Sequence, residues 1–302
     1  MRVAIIDLGT NTFSLLIVDI HGASYKMLYH ARESVKLGQK GITKGMIAPA
    51  AFKRGIKAMQ NLNKIIRKKK VQAIKAIATS AIREASNQKE FLSKIKEQTD
   101  IDVDIISGEE EAELIYYGTR MAARLSDEPC LIMDIGGGSN EFIIANKTTI
   151  FWKQSFKLGV ARLLEMFKPE NPIKEQTLQS IVSYLQKELQ PLLIEIKKHP
   201  VKRLIGTAGV FESVLHMIGK EKVTQQKTGY HIKLKDYIDV SEKTIRSTAK
   251  ERQTMPGLIP MRRDMIVLSY ILIDFVLNTT GLKKISLSTY ALKEGAITLF
   301  KP

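Results

Sequence analysis

The chain has 302 residues, 44% of them hydrophobic and 26% charged, proportions of an ordinary globular protein long enough for more than one core. Its 47 Lys+Arg against 31 Asp+Glu leave a formal charge of +16, which favours a polyanionic partner: nucleic acid, an anionic membrane or a phosphate-rich small substrate. A single cysteine, Cys130, excludes an intramolecular disulfide and suits a reducing compartment. Asp7 interrupts the only apolar run near the N-terminus, so no signal-peptide pattern forms, and residues 265–277 are too short to span a bilayer and contain Asp274. The expectation is a cytoplasmic protein with no membrane partner.

Residues 3–6 and 13–20, rich in β-branched and aromatic side chains, read as paired strands. A loop marked by Gly38, Gly41 and Gly45 precedes a helix from about Pro49, in which Phe52, Ile56, Met59 and Ile66 recur at helical spacing. The basic run 67–70 complements the end of that helix. Residues 71–78 predict a buried strand ending in "TSAIREASN", then a helix with Asn87 as N-cap and Glu90 three residues on. A strand at 102–107 leads into "SGEEEAELIYYG", where Ser107 and Glu110 fit a capping box. The second half opens with strands at 131–134, 141–145 and 149–156, followed by helices at 160–167 and 177–197. A strand, glycine turn and helix occupy 203–217. Helices over 241–252 and 262–279, a strand at 285–288 and a terminal helix at 292–300 complete the chain. Strands alternating with helices define an α/β protein, with the boundary between halves near 120–128.

Two segments share one design. "IIDLGTNTFSLLI" (5–17) and "LIMDIGGGSNEFII" (131–144) each run an apolar strand into an aspartate, Asp7 or Asp134. Each then turns through Gly9, Thr10, Asn11 and Thr12, or through Gly136, Gly137, Gly138 and Ser139, and returns as an apolar strand. A tight turn with Asp as turn-former is the plain reading of either alone. Two copies, one opening each half, argue for a phosphate grip: glycines admit a ligand close to the backbone, successive N–H groups make an anion-binding concavity, and hydroxyls add donors. An aspartate beside a phosphate repels it unless it holds hydrated Mg²⁺ bridging to the phosphate oxygens. The turn Gly206–Gly209 repeats the chemistry a third time. This arrangement resembles the actin / sugar kinase / Hsp70 ATPase superfold, in which two ribonuclease H-like domains close over a phosphorylated ligand in a cleft. The expected division is 1–124 and 125–289, with the terminal helix, 290–302, packing back on the first domain.

The triplet Glu109-Glu110-Glu111 opens a helix, where carboxylates complement the macrodipole. Consecutive helical residues differ by about 100° in direction, so one can cap while another faces a cleft as a general base for water. Arg83, just after a strand end, is a candidate for neutralising a transferred phosphoryl group. The segments "IIDLGTNTFSLLI", "AIATSAIREASN", "IISGEEEAELIYYG", "LIMDIGGGSNEFII", "KLGVARLLEMF", "LIGTAGVFESV" and "ERQTMPGLIPMRRDMIVLSYILI" resemble, in order, the motifs of the exopolyphosphatase / guanosine pentaphosphate phosphohydrolase (PPX/GppA) family.

The resemblance implies Mg²⁺-dependent release of a terminal phosphate from inorganic polyphosphate, or alternatively from the guanosine polyphosphate pppGpp. It places the catalytic glutamate on Glu111 and the arginine on Arg83. Metal- and water-positioning acids fall on Asp7, Asp134 and Glu141, and the phosphate cradle on Gly9, Thr10, Asn11, Thr12, Gly136, Gly137, Gly138 and Ser139. Asn140 stands where the family has Thr, and Ala291 and Lys293 replace Gly and Arg in "STYALKEG". Longer relatives carry further helical domains, so limited processivity on long chains is expected. The basic pairs 197–198, 262–263 and 283–284 are candidates for the path of a polyanion. A superfold kinase, a non-catalytic polyphosphate or nucleotide sensor and a nucleic-acid binder are the rivals. The last lacks any recognition motif, so no nucleic-acid partner is expected. The charge also permits a homodimer sharing a basic groove.

Overall fold

The computed structural model describes residues 1–22, 24–219 and 227–300. In its first half, β1 (Arg2–Leu8), β2 (Thr12–His21), β3 (Ser24–Ser34), β4 (Ala73–Ala78) and β5 (Val103–Ile105) form one sheet in the order β3-β2-β1-β4-β5. β1, β2 and β3 are antiparallel neighbours, whereas β4 and β5 join parallel. The connecting helices are α1 (Pro49–Lys68), α2 (Ser80–Arg83), α3 (Gln88–Thr99) and α4 (Gly108–Ala122). β1 reads as an unbroken apolar run because both its faces are covered: Ala4, Ile6 and Leu8 face α1 and α3, and Val3 and Ile5 face a second core.

The second half runs β6 (Cys130–Ile135), β7 (Asn140–Ala145), β8 (Ile150–Phe156), α5 (Val160–Phe167), α6 (Glu175–Glu188), α7 (Gln190–Lys198), β9 (Leu204–Thr207) and α8 (Ala208–Ile218). It continues with β10 (Gly229–Ile232), α9 (Leu234–Ile245), α10 (Ala249–Thr254), α11 (Ile266–Thr280), β11 (Ile285–Ser288) and α12 (Leu292–Gly295). Its sheet, β10-β11-β9-β6-β7-β8, contains the first sheet's topology: β8, β7, β6, β9 and β11 correspond to β3, β2, β1, β4 and β5. The additional edge, β10, pairs antiparallel with β11. The duplication legible in the two loops therefore extends to the strand order around them.

Between the sheets lies a core shared by both halves. Ile5, Leu16 and Val18 of the first sheet and Ile132, Ile143 and Ile205 of the second meet Ala112 and Ile115 of α4 and Leu292 and Ile297 of the terminal segment. The segment from α12 to Phe300 is thus packed on α4, and residues 301–302 of the expected terminal helix lie outside the described residues. Two glycines let the backbones touch: a Cβ on Gly118 would strike the carbonyl of Ala291, and one on Gly295 would strike that of Leu114.

Several expected elements differ in extent. The helix expected over 177–197 breaks at Leu189 into α6 and α7, because Pro191 has no N–H to continue the ladder. The one expected over 241–252 is two helices, since Thr248 caps a fresh start at α10 through a capping box with Glu251. α11 begins at Ile266, four residues later than expected. The capping box of Ser107 and Glu110 forms, whereas Asn87 uses its side chain to clasp both backbone groups of Ile47 instead of capping α3. The strands β3 and β10 had no counterpart in the sequence reading.

Gly118→Ala is expected to lower the unfolding free energy by about 1–3 kcal/mol by overpacking the α4–α12 contact. Urea denaturation with an unchanged m-value reads this directly.

Candidate active site

Parallel strands of both sheets deliver their carboxyl ends to one place, where crevices in such folds lie. Asp7 closes β1, Thr79 and Ser80 follow β4, Glu111 follows β5 by one turn of α4, Asp134 is near the end of β6, Thr207 ends β9, and Lys293 and Glu294 follow β11. Of these, Asp7, Thr79, Ser80, Glu111, Asp134 and Lys293 line a cavity of about 200 Å³, with Thr207 and Glu294 just behind them. Its wall includes Asp7, Gly9, Thr10, Asn11, Thr12, Glu111, Asp134, Gly136, Gly137, Gly138, Ser139 and Glu141, so twelve of the thirteen residues singled out from sequence converge there. The thirteenth, Arg83, stands behind the wall: one guanidinium nitrogen donates to Glu111 Oε2 at 3.0 Å and to the carbonyl of Ile106 at 2.9 Å.

The two loops have the same internal bond, Gly9 N–H to Thr12 O and Gly136 N–H to Ser139 O, each 3.1 Å. Their carbonyls are then tied from behind. In the second loop the carbonyls of Gly136, Gly137 and Gly138 accept from the N–H groups of Val160, Ala161 and Gly159 at 2.9–3.2 Å, so the start of α5 backs the whole turn. In the first, Thr10 O accepts from Gly38 N–H at 3.2 Å, and Asn11 O accepts from Val35 and Lys36 N–H at 2.9 Å. Within a trans peptide the C=O and N–H point opposite ways, so anchoring these carbonyls outward turns the next N–H groups toward the cavity. The loops also approach each other across it. A Cβ on Gly137 would lie 2.6 Å from Asn11 Nδ2, and one on Gly138 would lie 2.6 Å from Thr10 Oγ1. Thr10 Oγ1 is buried with no hydrogen-bond partner among the described residues, a donor left for a ligand. Asn140 braces the second loop, accepting from Gly136 N–H at 3.1 Å and donating to Leu158 O at 2.6 Å.

The cavity's other property is its buried acid. Asp134 accepts from Thr207 Oγ1 at 2.5 Å, and Glu141 from Ser155 Oγ at 2.6 Å. Burial pushes Asp7 up to about 7, with Asp134 and Glu294 adding repulsion against the relief given by Lys293. Burial and Asp134 likewise raise Glu141 to about 7. Glu111 is raised well above the carboxylate range by burial and by Glu141, with Arg83 opposing. Asp134 is raised by burial, with Thr207 opposing. Carboxylates crowded in a dry site fit a cation. Among the described residues no three acidic, imidazole or thiol groups converge into a preformed cage, so Asp7, Asp134 and Glu141 do not together make one.

Sequence reasoning missed Arg32 among the cations at the cavity, whereas Arg262 and Lys293 were already singled out. Arg32 on β3 pairs with Glu212 of α8 at 3.1 Å, and Arg262 approaches the same carboxylate at 3.7 Å while donating to Ser213 Oγ at 2.6 Å. Lys293 pairs with Glu294 at 3.0 Å and lines the cavity, so the ammonium that replaces the family's guanidinium retains a carboxylate partner. Arg32 was hidden because β3 was: this edge strand is at most half-buried, and Lys26, His30, Arg32 and Glu33 dilute its apolar alternation. Of the basic pairs considered for a polyanion path, Arg262 lines the cavity. Lys283 and Lys284 precede β11 and Lys197 and Lys198 end α7 below β9, so both pairs sit at the opposite ends of the strands.

A two-lobed α/β protein with a duplicated amide cradle and buried carboxylates in the cleft is a phosphoryl-handling member of the actin-like superfold. The family model described as the Ppx/GppA phosphatase family matches residues 16–299, and the chain belongs to that family. An exopolyphosphatase from Cytophaga hutchinsonii, solved as a crystal structure, is 38% identical with a TM-score of 0.96, covering 99% of this chain and 97% of that one. The Aquifex aeolicus family member shares the fold at 23% identity and a TM-score of 0.82, over 99% of this chain and 97% of that one. Exopolyphosphatase 1 of Mycobacterium tuberculosis is 24% identical over 98% of this chain and 87% of its own length. Among the described residues no helix is long and apolar enough to cross a membrane.

Carboxylates whose folded-state values are raised bind protons in the native state that the unfolded chain has already lost, so stability falls as pH rises through them. In EDTA the protein is therefore expected to melt at higher temperature at pH 6 than at pH 8. Asp7→Asn should raise the pH 8 value and flatten the slope, which calorimetry across that range tests.

Proposed function

We propose that this protein is an exopolyphosphatase that releases orthophosphate from the end of inorganic polyphosphate by Mg²⁺-assisted in-line attack of water. The observation that carries the reading is the meeting, in one cavity, of two glycine- and hydroxyl-rich loops with Glu111 from the first turn of α4. The names of the Cytophaga and Mycobacterium relatives support it. So does the cavity's size: about 200 Å³ falls below the roughly 300–1,000 Å³ of pockets that enclose a drug-sized ligand, and suits the end of a phosphate chain better than a whole nucleoside.

In this reading the inward N–H groups and the hydroxyls of Thr10, Thr12 and Ser139 hold the terminal phosphoryl group between the halves, taken as 1–124 with the terminal segment and 125–289. Glu111 accepts the proton of the attacking water. A carboxylate raised toward neutrality is a better base than an ordinary glutamate, and burial together with Glu141 supplies that rise. Arg83, behind Glu111 instead of in the cavity, orients the carboxylate and limits the rise. Asp134 and Glu141, paired across β6 and β7, would hold Mg²⁺ with Asp7 nearby; when bound, the ion would neutralise charge on the phosphoryl oxygens and relieve the repulsion among the acids. Charge developing on the equatorial oxygens is met by donors already in place, so positioning and electrostatics supply most of the rate.

The test is phosphate release from short polyphosphate and from pppGpp, side by side, with Mg²⁺ and with EDTA. Polyphosphate is expected to show the higher kcat/KM and EDTA to abolish release; preference for pppGpp would move the protein to nucleotide hydrolysis. Glu111→Gln should cut kcat by about 10²–10⁴-fold with binding retained. Removing the Arg83 charge takes away the influence that lowers Glu111, so in Arg83→Ala the acid limb of the kcat/KM profile should move to higher pH. An unmoved limb would separate Arg83 from the base.

A further inference from the structure

Resting on the phosphatase reading above, we propose that Arg162 is a positioning residue that couples closure of the two halves to the shape of the second phosphate loop. Arg162 lies in the first turn of α5, outside the cavity wall, with only 11% of its side chain exposed. Its guanidinium spends its donors on three different pieces of the protein. Nε donates to the carbonyl of Gly138 at 3.1 Å, in the second loop. Nη1 donates to the carbonyl of Ile42 at 3.4 Å, and Nη2 to Glu84 Oε2 at 3.0 Å, both in the first half. Glu84 in turn accepts from Ser80 Oγ at 2.9 Å, and Ser80 lies in the cavity wall against Gly138. Lys157 adds a second cation to Glu84 at 3.2 Å from the same side as Arg162.

The arrangement closes a circuit that leaves the second loop at Gly138, crosses to the first half through Arg162 and Glu84, and returns to Gly138 through Ser80. The peptide whose carbonyl Arg162 grips is the one whose N–H belongs to Ser139, and that N–H faces away from the carbonyl, toward the cavity. A charged donor on the carbonyl polarises the peptide and strengthens the N–H as a donor to an anion. The guanidinium reaches Gly138, Ile42 and Glu84 together only while the halves are closed. Other bridges across the cleft, Lys36 to Asp264 at 3.2 Å and Arg32 to Glu212 at 3.1 Å, do not touch either loop's backbone. Among the described residues, Arg162 is the cation that both bridges the halves and bonds a loop carbonyl. A lysine there keeps the charge for Glu84 but cannot serve three acceptors in a fork.

The experiment combines kinetics on short polyphosphate with small-angle X-ray scattering of the substrate-free protein, for wild type, Arg162→Ala, Arg162→Lys and Glu84→Gln. Arg162→Ala should enlarge the radius of gyration and lower kcat by about 10–100-fold, since a misplacement of about 1 Å costs that much. Arg162→Lys should restore the wild-type radius through Glu84 while kcat stays at least about fivefold down, because the Gly138 carbonyl has lost its charged donor and keeps only the Gly159 N–H. Glu84→Gln tests the closure arm from the other side should Arg162→Ala fail to fold, and is expected to enlarge the radius. Unchanged radius and kcat in Arg162→Ala, or in Glu84→Gln in its place, would overturn the proposal. Full recovery of kcat in Arg162→Lys would overturn the loop arm. A wild type that releases no phosphate from polyphosphate would sink the phosphatase reading, and the scattering series would still decide the closure arm.

Discussion

The site depends on where a handful of backbone carbonyls are satisfied. A loop that offers its N–H groups to an anion must send its C=O groups the other way, and in a buried place those carbonyls need donors of their own. The second loop finds them in the first N–H groups of α5, which a helix end leaves free in any case. The first loop has no helix behind it and uses the segment 35–38. Much of the neighbouring chain follows from this. α5 must begin where it does, Gly159 must be small enough to press against Gly137 and Gly138, and Gly38 must leave room for Thr10.

A second constraint is electrostatic and acts against the first. Amides and hydroxyls attract phosphate, while Asp7, Asp134, Glu141 and Glu111 repel it, and all four are raised by burial in the substrate-free protein. Keeping such groups together costs stability that a cation or a set of protons would return. The overall charge of +16 does not cure this locally, because the floor of the cleft is acidic and the cations nearest to it are engaged with Glu84, Glu212 and Glu294. Long-range attraction of a polyanion and short-range holding of its end are therefore separate jobs carried by separate residues.

How much of this was legible in the sequence follows from the range of each cause. The loops were visible because glycine, hydroxyl and aspartate in a short turn between apolar strands is a local signal. Their duplication made it stronger, and the strand order repeats around them. The box of Ser107 and Glu110 was legible for the same reason. Asn87 looked like a cap because its sequence neighbours fit one, but its partner, Ile47, is distant in the chain. Arg32, Arg162 and Glu84 were invisible as a group because their meaning is relational: each sits on a different element, and only the closed fold brings them within hydrogen-bond distance of partners in the opposite half. The edge strand β3 was lost because it is at most half-buried and rich in charge, and with it went the arginine it carries. Arg83 stands beside Glu111, but sequence could not say that it would face that carboxylate and not the cavity.

The duplication also shows where chemistry parts from architecture. Across β1 and β2, Asp7 pairs with Ser14; across β6 and β7, Asp134 pairs with Glu141. Paired residues on antiparallel strands share a face, so the second half places two acids side by side where the first has one acid and a hydroxyl. The cradles are near copies, but the negative charge is not shared equally. Glu111 adds to this imbalance from α4, the helix buried between both sheets. α4 follows β5 as α12 follows β11, so Glu111 has a topological counterpart in Glu294, and both helices belong to the core shared by the halves. The two are used differently: Glu111 lines the cavity, whereas Glu294 stands behind Lys293, which lines it in its place. On the reading proposed above, this is where the symmetry of the cradles is broken, one joint presenting an acid to the ligand and the other a cation.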